Sequence, residues 1–275
     1  MDVYSEIVKL RDEGRRGALA TIVGVRGSIP AFETAKMLVR DDGSIVGTIG
    51  GGCVEAEVWQ AAKEVMLTEK PRTLRFDLNS DPKYQTGLIC GGTLEVFVEA
   101  VLPVPQLYLF GAGHVSQAIY KIARLAGFDV TVVDDRDAYA NAERFPAAKA
   151  IYVADYDEVW NRLAPDDKSF IVIVTRGHAD DMRILREVLT RPVPCRYLGM
   201  IGSERKFLAI RKTLAAEGIT EEAFARVLSP VGLDIGAVTP EEIAVAVVAE
   251  IIAVRRGATA SLPHLAWNKK ERVTK

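Results

Sequence analysis

The hydrophobic and polar positions of the first hundred residues predict a unit that mixes helices and strands. Apolar residues recur at helical spacing over residues 3–16 and again over residues 53–67. Five shorter runs are typical of strands and span residues 18–25, 36–40, 44–49, 73–78 and 93–101. The residues Asp41-Asp42-Gly43, between the second and third runs, favour a hairpin turn. We therefore expect an α+β domain over residues 1–102.

Pro103 and Pro105 mark the expected domain boundary, because proline lacks a backbone donor and stops a helix from continuing. Beyond them, apolar runs at 107–110, 129–133, 148–153, 170–174 and 196–198 alternate with helical stretches at 116–126, 180–189, 203–217, 221–227 and 240–256. Strands that are apolar on both faces are typical of a parallel sheet covered by helices. Residues 106–260 therefore predict a Rossmann-like, doubly wound α/β domain. The polar segment 261–275 predicts a C-terminal tail that frays.

Composition and charge narrow the function classes. The chain has 275 residues, of which 49% are hydrophobic and 26% charged, with a formal net charge of -2. These values exclude a disordered or collagen-like chain, and they lack the basic excess that nucleic acid or an anionic membrane surface would require. The apolar run 243–254 is interrupted by Glu250 and is too short to span a bilayer, and the first six residues lack a secretion signal. We therefore expect a cytoplasmic protein whose three cysteines are thiols.

A glycine-rich turn follows the first strand of the second domain. The sequence GAGHVS at 111–116 lies between a strand and a helix, which is the context of a dinucleotide-binding turn. Gly111 permits the tight turn, and Gly113 allows a phosphate to approach backbone amides at the start of the helix, next to His114. Ser116 stands where a third glycine is usual, and a small residue there still lets the helix pack on the strand.

Asp134 ends the next strand, twenty-one residues after Gly113, where a carboxylate can accept the ribose hydroxyls of an adenosine. Arg136 can instead meet a 2′-phosphate, so the sequence does not distinguish NAD from NADP or another nucleotide. The alternative is a structural turn in a domain that binds no nucleotide, since a fold does not establish a function.

Other loops are expected at the same edge of the sheet, because ligands of such folds collect at the carboxyl ends of the strands. The candidate binding residues in these loops are Arg176, His178, Gly202 and Ser203. His178 with Asp180 and Asp181 fits either a metal site or a helix start whose acidic residues complement the dipole. Ser203, ahead of the basic residues 205–206, fits either an N-cap or a phosphate clamp.

A second candidate site lies in the first domain, where a strand gives way to a helix. It consists of Gly50, Gly51, Gly52, Cys53 and Glu55. Glycines expose backbone amides, and a helix N-terminus favours a thiolate, so this segment predicts an anion-binding loop with a soft ligand. Cys90 precedes Gly91 and Gly92 in another glycine-rich loop. The distance in sequence excludes a compact zinc knuckle, and the alternative is that both cysteines are buried as small hydrophobic residues.

Together these motifs resemble the xanthine dehydrogenase accessory factor family of the XdhC/CoxI type. The matching segments are GSIP at 27–30, AKMLV at 35–39, GTIGGGCVE at 47–55, CGG at 90–92, GAGHV at 111–115, VDDR at 133–136, TRGH at 175–178, GMIGSERK at 199–206 and SPVGLDIG at 229–236. They occur in the order of the family and extend over nearly the whole chain. One departure is the sequence AFET at 31–34, where the family usually has basic residues and Pro-Gly.

The resemblance implies an accessory chaperone rather than a catalyst. Members are thought to bind the molybdenum cofactor (molybdopterin), to support its sulfuration with a cysteine desulfurase, and to deliver it to an apo molybdenum hydroxylase of the xanthine dehydrogenase type. Cys53 and Cys90 would be the thiol ligands of the molybdenum, and glycine-rich loops would hold phosphate groups. The alternatives are an NAD(P)-dependent oxidoreductase, for which we identify no proton donor beside a nicotinamide, and a regulatory nucleotide-binding protein. A homodimer is the commonest assembly for such a protein.

Overall fold

A computed structural model describes residues 2–28, 33–78, 91–191, 193–258 and 264. The chain divides into two compact units, Met1–Val104 and Pro105–Lys275. None of the helices in the described segments is long and apolar enough to cross a membrane.

The first unit is a five-stranded antiparallel sheet with two helices. Its strands are β1 (Gly17–Ser28), β2 (Lys36–Arg40), β3 (Ile45–Gly47), β4 (Arg72–Asp77) and β5 (Gly91–Val101), and its helices are α1 (Val3–Asp12) and α2 (Gly52–Thr68). The strand order is β3-β2-β1-β5-β4, and every neighbouring pair is antiparallel. The buried residues Val58, Ala62 and Val65 repeat at helical spacing and pack α2 against the sheet. The predicted α+β architecture is confirmed.

The first helix is shorter than predicted. The apolar pattern suggested a helix over residues 3–16, whereas α1 ends at Asp12 with Glu13 as its C-cap. Gly14 has a φ of 71°, and its N–H donates to the carbonyl oxygen of Arg11. A left-handed glycine of this kind ends a helix by satisfying one of its last carbonyl groups.

The second unit is a six-stranded parallel sheet with helices on both faces. Its strands are β6 (Gln106–Phe110), β7 (Asp129–Asp134), β8 (Ala150–Val153), β9 (Phe170–Ile173), β10 (Tyr197–Met200) and β11 (Val227–Leu228). Its helices are α3 (His114–Leu125), α4 (His178–Thr190), α5 (Glu204–Ala216), α6 (Glu221–Ala225) and α7 (Pro240–Arg256), with a short 3-10 helix at Val159–Arg162. The predicted Rossmann-like, doubly wound domain is confirmed.

Alternate residues of β6 face two separate cores, which explains why the predicted strands are apolar on both faces. Leu107 and Leu109 pack in one core with residues of α3 and α7, whereas Tyr108 and Phe110 pack in the other with residues of α4 and α5. A strand buried on both faces cannot show the alternating pattern of a half-exposed strand.

The strand order is β11-β10-β9-β6-β7-β8: successive strands are added on one side of β6 up to β8, and on its other side from β9 onwards. The order in which strands are added therefore reverses between β6 and β9. All the strand pairs of this sheet are parallel, so their carboxyl ends lie at one edge. Ligands of doubly wound sheets bind in the crevice at such a reversal. The turns that follow β6, β7, β9 and β10 therefore contain the candidate residues of this unit.

The C-terminal part of the unit differs from prediction in two places. The helix predicted over residues 221–227 ends at Ala225, and the next two core residues form β11, parallel to β10. The predicted frayed tail contains His264, which is buried and forms an isolated bridge with Leu233. The helix predicted over 240–256 is confirmed, and its start has a capping box between Thr239 and Glu242.

Candidate functional site

The glycine-rich turn after β6 is held tightly against the turn after β9. Gly111 has a φ of 102°, and a Cβ atom there would lie 2.1 Å from the carbonyl oxygen of Val174. Only glycine fits this position without moving the neighbouring backbone. Ser116 is fully buried, and its hydroxyl donates to the same carbonyl oxygen at 3.5 Å. A small residue therefore serves at the third glycine position, as the sequence predicts.

Space is open in front of the helices that follow β6 and β9. Gly113 and Gly177 are the N-caps of α3 and α4, and a Cβ added to either would meet no atom within 4 Å. Within the described residues, no side chain caps either helix. His114 and His178, at the first positions of these helices, are exposed. Uncapped amides beside open space suit an anionic ligand.

The carboxylate of Asp134 is bonded within the protein. Asp134 has 0% of its surface exposed, and its Oδ2 accepts from the N–H of Ala112 at 2.7 Å and from Nη2 of Arg136 at 3.0 Å. Its Oδ1 accepts from the N–H and Nε of Arg136 at 3.0 Å and 2.8 Å. The carboxylate therefore fixes the glycine-rich turn to the end of β7. Its predicted role in binding ribose would require these bonds to change.

Arg176 lies close to the same turn. Its Nη2 donates to Asp135 at 2.7 Å, which links the turn after β9 to the turn after β7. Asp180 lies 3.6 Å from Nε of Arg176 and 3.8 Å from Arg183. Gly111, Asp134, Arg136 and Arg176, four residues predicted from the sequence, are thus brought together at the carboxyl edge.

Asp181 belongs to a buried polar network rather than to a metal site. Its Oδ1 accepts from the hydroxyl of Thr175 at 2.5 Å and from the N–H of Thr175 at 3.2 Å, and Lys206 forms an ion pair with its Oδ2. Burial raises the pKa of Asp181, although the hydrogen bonds from Lys206 and Thr175 act in the opposite direction. Among the described residues, no group of three or more His, Cys, Asp and Glu side chains is arranged to hold a metal ion.

In the loop after β10, the side chain of Ser203 caps the helix that follows. Ser203 is the N-cap of α5, and its hydroxyl accepts from the N–H of Lys206 at 3.3 Å. Of the two interpretations left open by the sequence, these contacts correspond to the N-cap. A Cβ on Gly202 would lie 2.9 Å from Cδ of Lys206, so the lysine side chain passes directly over this glycine.

In the first unit, the three glycines of the predicted anion-binding loop have left-handed backbones. Their φ angles are 116° at Gly50, 82° at Gly51 and 68° at Gly52. A Cβ on Gly51 or Gly52 would meet no atom within 4 Å, and no side chain of the described residues caps α2. Cys53, in the first turn of α2, is a free and exposed cysteine. The alternative that Cys53 is buried as a small hydrophobic residue is therefore wrong.

The carboxylate of Glu55 accepts hydrogen bonds from backbone N–H groups of this loop. Its Oε1 accepts from the N–H groups of Ile49 and Gly51, each at 3.1 Å, and from the hydroxyl of Thr48. The N–H of Gly50 donates to the hydroxyl oxygen of Thr48 at 3.1 Å. Several amides that the sequence offers to an anion are therefore bonded to the protein itself. The amides at the start of α2 are separate from this network.

Cys90 lies outside the described residues, as do Ala31 and Phe32 of the departing segment 31–34. Gly91 and Gly92 begin β5 and pair with Ser28 and Gly27 of β1. The predicted pairing of Cys53 with Cys90 on one metal thus stays a prediction.

A buried network around Glu250 was not predicted. Glu250 is fully buried in α7, and its Oε2 accepts from the hydroxyl of Tyr197 at 2.5 Å and from the N–H of Gly232 at 3.0 Å. Its Oε1 lies 2.7 Å from Nδ1 of His264. Burial raises the pKa of Tyr197 well above its ordinary value, and the adjacent Glu250 adds to the effect. The signal in the sequence is a single acidic residue within the apolar run 243–254, because a buried acid requires partners.

Two family models match the chain. The XdhC Rossmann domain matches residues 107–251, and the XdhC and CoxI family matches residues 10–77.

Three curated relatives extend the comparison. The uncharacterized protein YqeB of Escherichia coli is 37% identical over 95% of this chain, which spans 48% of the length of YqeB. A probable xanthine dehydrogenase subunit of Bacillus subtilis is 25% identical, with 90% of this chain and 96% of the relative covered. The molybdenum cofactor insertion chaperone PaoD of Escherichia coli is 23% identical, with 88% and 84% covered. The XdhC Rossmann domain matches more than half of the residues of this chain, so the chain belongs to the XdhC and CoxI family.

Proposed function

We propose that this protein is a chaperone that binds the molybdenum cofactor and supports maturation of a xanthine dehydrogenase-type molybdenum hydroxylase. One relative is named as a molybdenum cofactor insertion chaperone, and another as a probable subunit of xanthine dehydrogenase. Membership of the same family supports a related role for this chain.

The observation that carries the proposal is the placement of Cys53. Its thiol is exposed in the first turn of an uncapped helix, directly after glycines that leave open space in front of the backbone. A thiolate is a soft ligand, and the amides at a helix N-terminus attract anionic groups. These features fit an anionic cargo that carries molybdenum. Cys53 would bind the metal, and the amides of Gly52 and Cys53 would donate to an anionic group of the cofactor.

The remaining parts of the proposal follow from the family resemblance. Cys90 would supply a second thiol, a cysteine desulfurase would provide sulfur for the sulfido ligand, and an apo molybdenum hydroxylase would receive the cofactor. The cytoplasmic location expected from the sequence and a homodimer, the commonest closed assembly, complete the proposal. The cysteine role can be tested on the purified protein alone.

The decisive experiment measures molybdenum and molybdopterin in protein purified from a host that synthesises the cofactor. We expect both to be retained by the wild-type protein and by Cys195→Ala, and to fall at least about tenfold in Cys53→Ala. Cys195 is a suitable control because it is the other described free cysteine, is partly buried, and lies in the second unit next to Arg226. Absence of the cofactor from the wild-type protein, or equal retention by Cys53→Ala, would contradict the proposal.

The alternative of an NAD(P)-dependent oxidoreductase rests on the Rossmann-type fold. Because the same fold serves many unrelated functions, the fold alone does not support hydride transfer. We therefore do not adopt this alternative as the function of the protein.

A further inference from the structure

The end of β7 is where a Rossmann-type domain distinguishes one adenosine nucleotide from another. A carboxylate there accepts hydrogen bonds from the ribose hydroxyls of NAD, whereas a nearby arginine accommodates the 2′-phosphate of NADP. This chain has both residue types at that position, as Asp134 and Arg136. Their contacts decide which of the two is available to a ligand.

The carboxylate of Asp134 is saturated with hydrogen bonds. Four N–H groups, one from Ala112 and three from Arg136, lie within 3.0 Å of its two oxygens. An ionised carboxylate offers about four lone-pair sites, so these donors fill its capacity. A ribose hydroxyl would have to displace one of these charge-assisted bonds to reach the carboxylate.

The guanidinium of Arg136 retains donors for a ligand. An arginine side chain carries about five N–H donors, and Asp134 uses two of those in Arg136. The Arg136 side chain is 26% exposed. Its Cζ lies 4.0 Å from the centroid of the Tyr139 ring, and this stacking holds the guanidinium in place.

A second guanidinium reaches the same aromatic ring. Cζ of Arg144 lies 5.4 Å from the centroid of Tyr139, and Nη2 of Arg144 donates to the carbonyl oxygen of Ala112 at 3.3 Å. Nε of Arg144 is buried without a hydrogen-bond partner among the described residues. Two arginines therefore flank Tyr139 next to the glycine-rich turn.

The two acidic residues nearest Arg136 in this loop, Asp135 and Asp137, accept hydrogen bonds of their own. Asp135 accepts from Nη2 of Arg176 at 2.7 Å and lies 3.7 Å from Nε of Arg136. Asp137 accepts from the N–H of Ala138 at 2.7 Å. An anionic group at this turn would meet guanidinium donors, whereas a neutral ribose diol would compete with bonds already formed.

We infer that this turn binds a phosphorylated adenosine ribose, with the 2′-phosphate of an NADP-type nucleotide held by Arg136 and Arg144, in preference to the free diol of an NAD-type nucleotide. Phosphate oxygens match guanidinium donors in both charge and geometry. The inference concerns the second unit and does not rest on the handling of molybdenum. Its test contains no molybdenum, so its failure would leave the chaperone proposal unchanged.

Calorimetric titration of the full chain with 2′,5′-ADP and with 5′-AMP tests the inference, because the two nucleotides differ only in the 2′-phosphate. We expect 2′,5′-ADP to bind at least about tenfold more tightly, as one charge-assisted phosphate contact would produce. NADPH and NADH should follow the same order. Equal affinities, tighter binding of 5′-AMP, or no binding of either nucleotide would overturn the inference.

Two substitutions test whether the arginines cause the preference for the 2′-phosphate. Arg144→Gln should bring the affinity for 2′,5′-ADP towards that for 5′-AMP, and it leaves every hydrogen bond of Asp134 in place. Arg136→Gln should have the same effect, provided that thermal unfolding shows a folded variant. A preference that survives in Arg144→Gln would overturn the assignment.

Arg162→Gln is the matched control. Cζ of Arg162 lies 4.6 Å from the centroid of the Tyr152 ring, so this substitution removes a similar arginine–tyrosine stack from the same unit. We expect it to change neither nucleotide affinity. If Arg162→Gln weakened the binding of 2′,5′-ADP as much as Arg144→Gln does, the preference would not come from the turn after β7.

Discussion

The guanidinium of Arg136 binds the buried carboxylate of Asp134 through two hydrogen bonds, from Nε to Oδ1 at 2.8 Å and from Nη2 to Oδ2 at 3.0 Å. Burial alone would raise the pKa of Asp134, but the hydrogen bonds from Arg136 and from the N–H of Ala112 lower it. A carboxyl group with a lowered pKa stabilises the folded state above its unfolded-state pKa of about 3.9. That contribution is lost as the pH falls through the folded-state pKa.

Asp134→Asn should therefore destabilise the protein in a pH-dependent way. We expect the free energy of unfolding to fall by about 2 kcal/mol at neutral pH, because charge-assisted hydrogen bonds are lost from a buried site. The difference from the wild type should shrink at pH values below about 4. Denaturant unfolding of both proteins across this range measures the effect.

Asp137→Asn is the control for this experiment, since Asp137 is exposed in the same loop and accepts from the adjacent N–H of Ala138. It should change the free energy of unfolding by less than about 0.5 kcal/mol. A destabilisation of Asp134→Asn that stayed constant down to acid pH would mean that the charge of Asp134 is not its cause.

Gly111→Ala and Gly113→Ala should separate stability from binding. Gly111 has a φ of 102° and no room for a Cβ, so alanine there should cost more than about 3 kcal/mol of unfolding free energy. Gly113 has a φ of -71° and open space, so alanine there should change stability by less than about 1 kcal/mol. The added methyl group should nevertheless weaken binding of 2′,5′-ADP. Equal stability of the two variants would contradict the tight contact with Val174.

Glu55→Ala should destabilise the first unit even without any ligand. Its carboxylate accepts from the N–H groups of Ile49 and Gly51, and its loss should lower the free energy of unfolding by about 1 to 3 kcal/mol. Gln60→Ala, an exposed substitution in the same helix, should have little effect. Denaturant unfolding compares the two variants, and equal stability would leave Glu55 without the structural role described above.

Tyr197→Phe should destabilise the second unit by about 1 to 2 kcal/mol, because the buried carboxylate of Glu250 loses one donor. Tyr152→Phe is the control, since its hydroxyl makes a 3.4 Å contact with the carbonyl oxygen of Arg162. Denaturant unfolding compares the two variants, and equal stability of Tyr197→Phe and the wild-type protein would mean that this hydrogen bond does not stabilise the buried carboxylate.

Cys90→Ala tests the predicted two-thiol site. If two thiols hold the molybdenum, Cys90→Ala should lower molybdenum retention about as much as Cys53→Ala, whereas a single-thiol site would be affected only by Cys53→Ala. Metal analysis of both purified variants distinguishes these outcomes. Retention equal to that of the wild-type protein would remove Cys90 from the site.

Most helices and strands could be predicted because their buried apolar residues recur at the spacing of a helix or occur in the short runs typical of strands. The helix over 240–256 combines an N-cap, a proline and an apolar face, and the structure has the same bounds. β11 was missed because it has only two residues and follows a helical pattern, so its strand character comes from pairing with β10. Pairing between distant segments cannot be inferred from a local pattern.

The sequence predicted which strand ends and loops contain the candidate residues, but not the hydrogen bonds that these residues make. The turn at Gly111 and the carboxylate of Asp134 follow from motif spacing. Arg136 fills the hydrogen-bonding capacity of Asp134, and Glu55 accepts from amides of its own loop. Both contacts depend on how side chains are oriented at the end of a strand or the start of a helix. Residue type alone does not distinguish a group that binds a ligand from one that supports the backbone beside it.

The helices α1–α7 divide into two groups by the residue at their start. Side chains of Asp2, Ser203, Thr220 and Thr239 close four of them, whereas α2, α3 and α4 begin at glycines that offer no such acceptor. An anion that accepts the amides at the start of any one of these three helices would stabilise the folded state, by about 2.7 kcal/mol at a hundredfold excess over its dissociation constant. Each such anion should therefore raise the melting temperature of the protein by an amount that increases with its affinity.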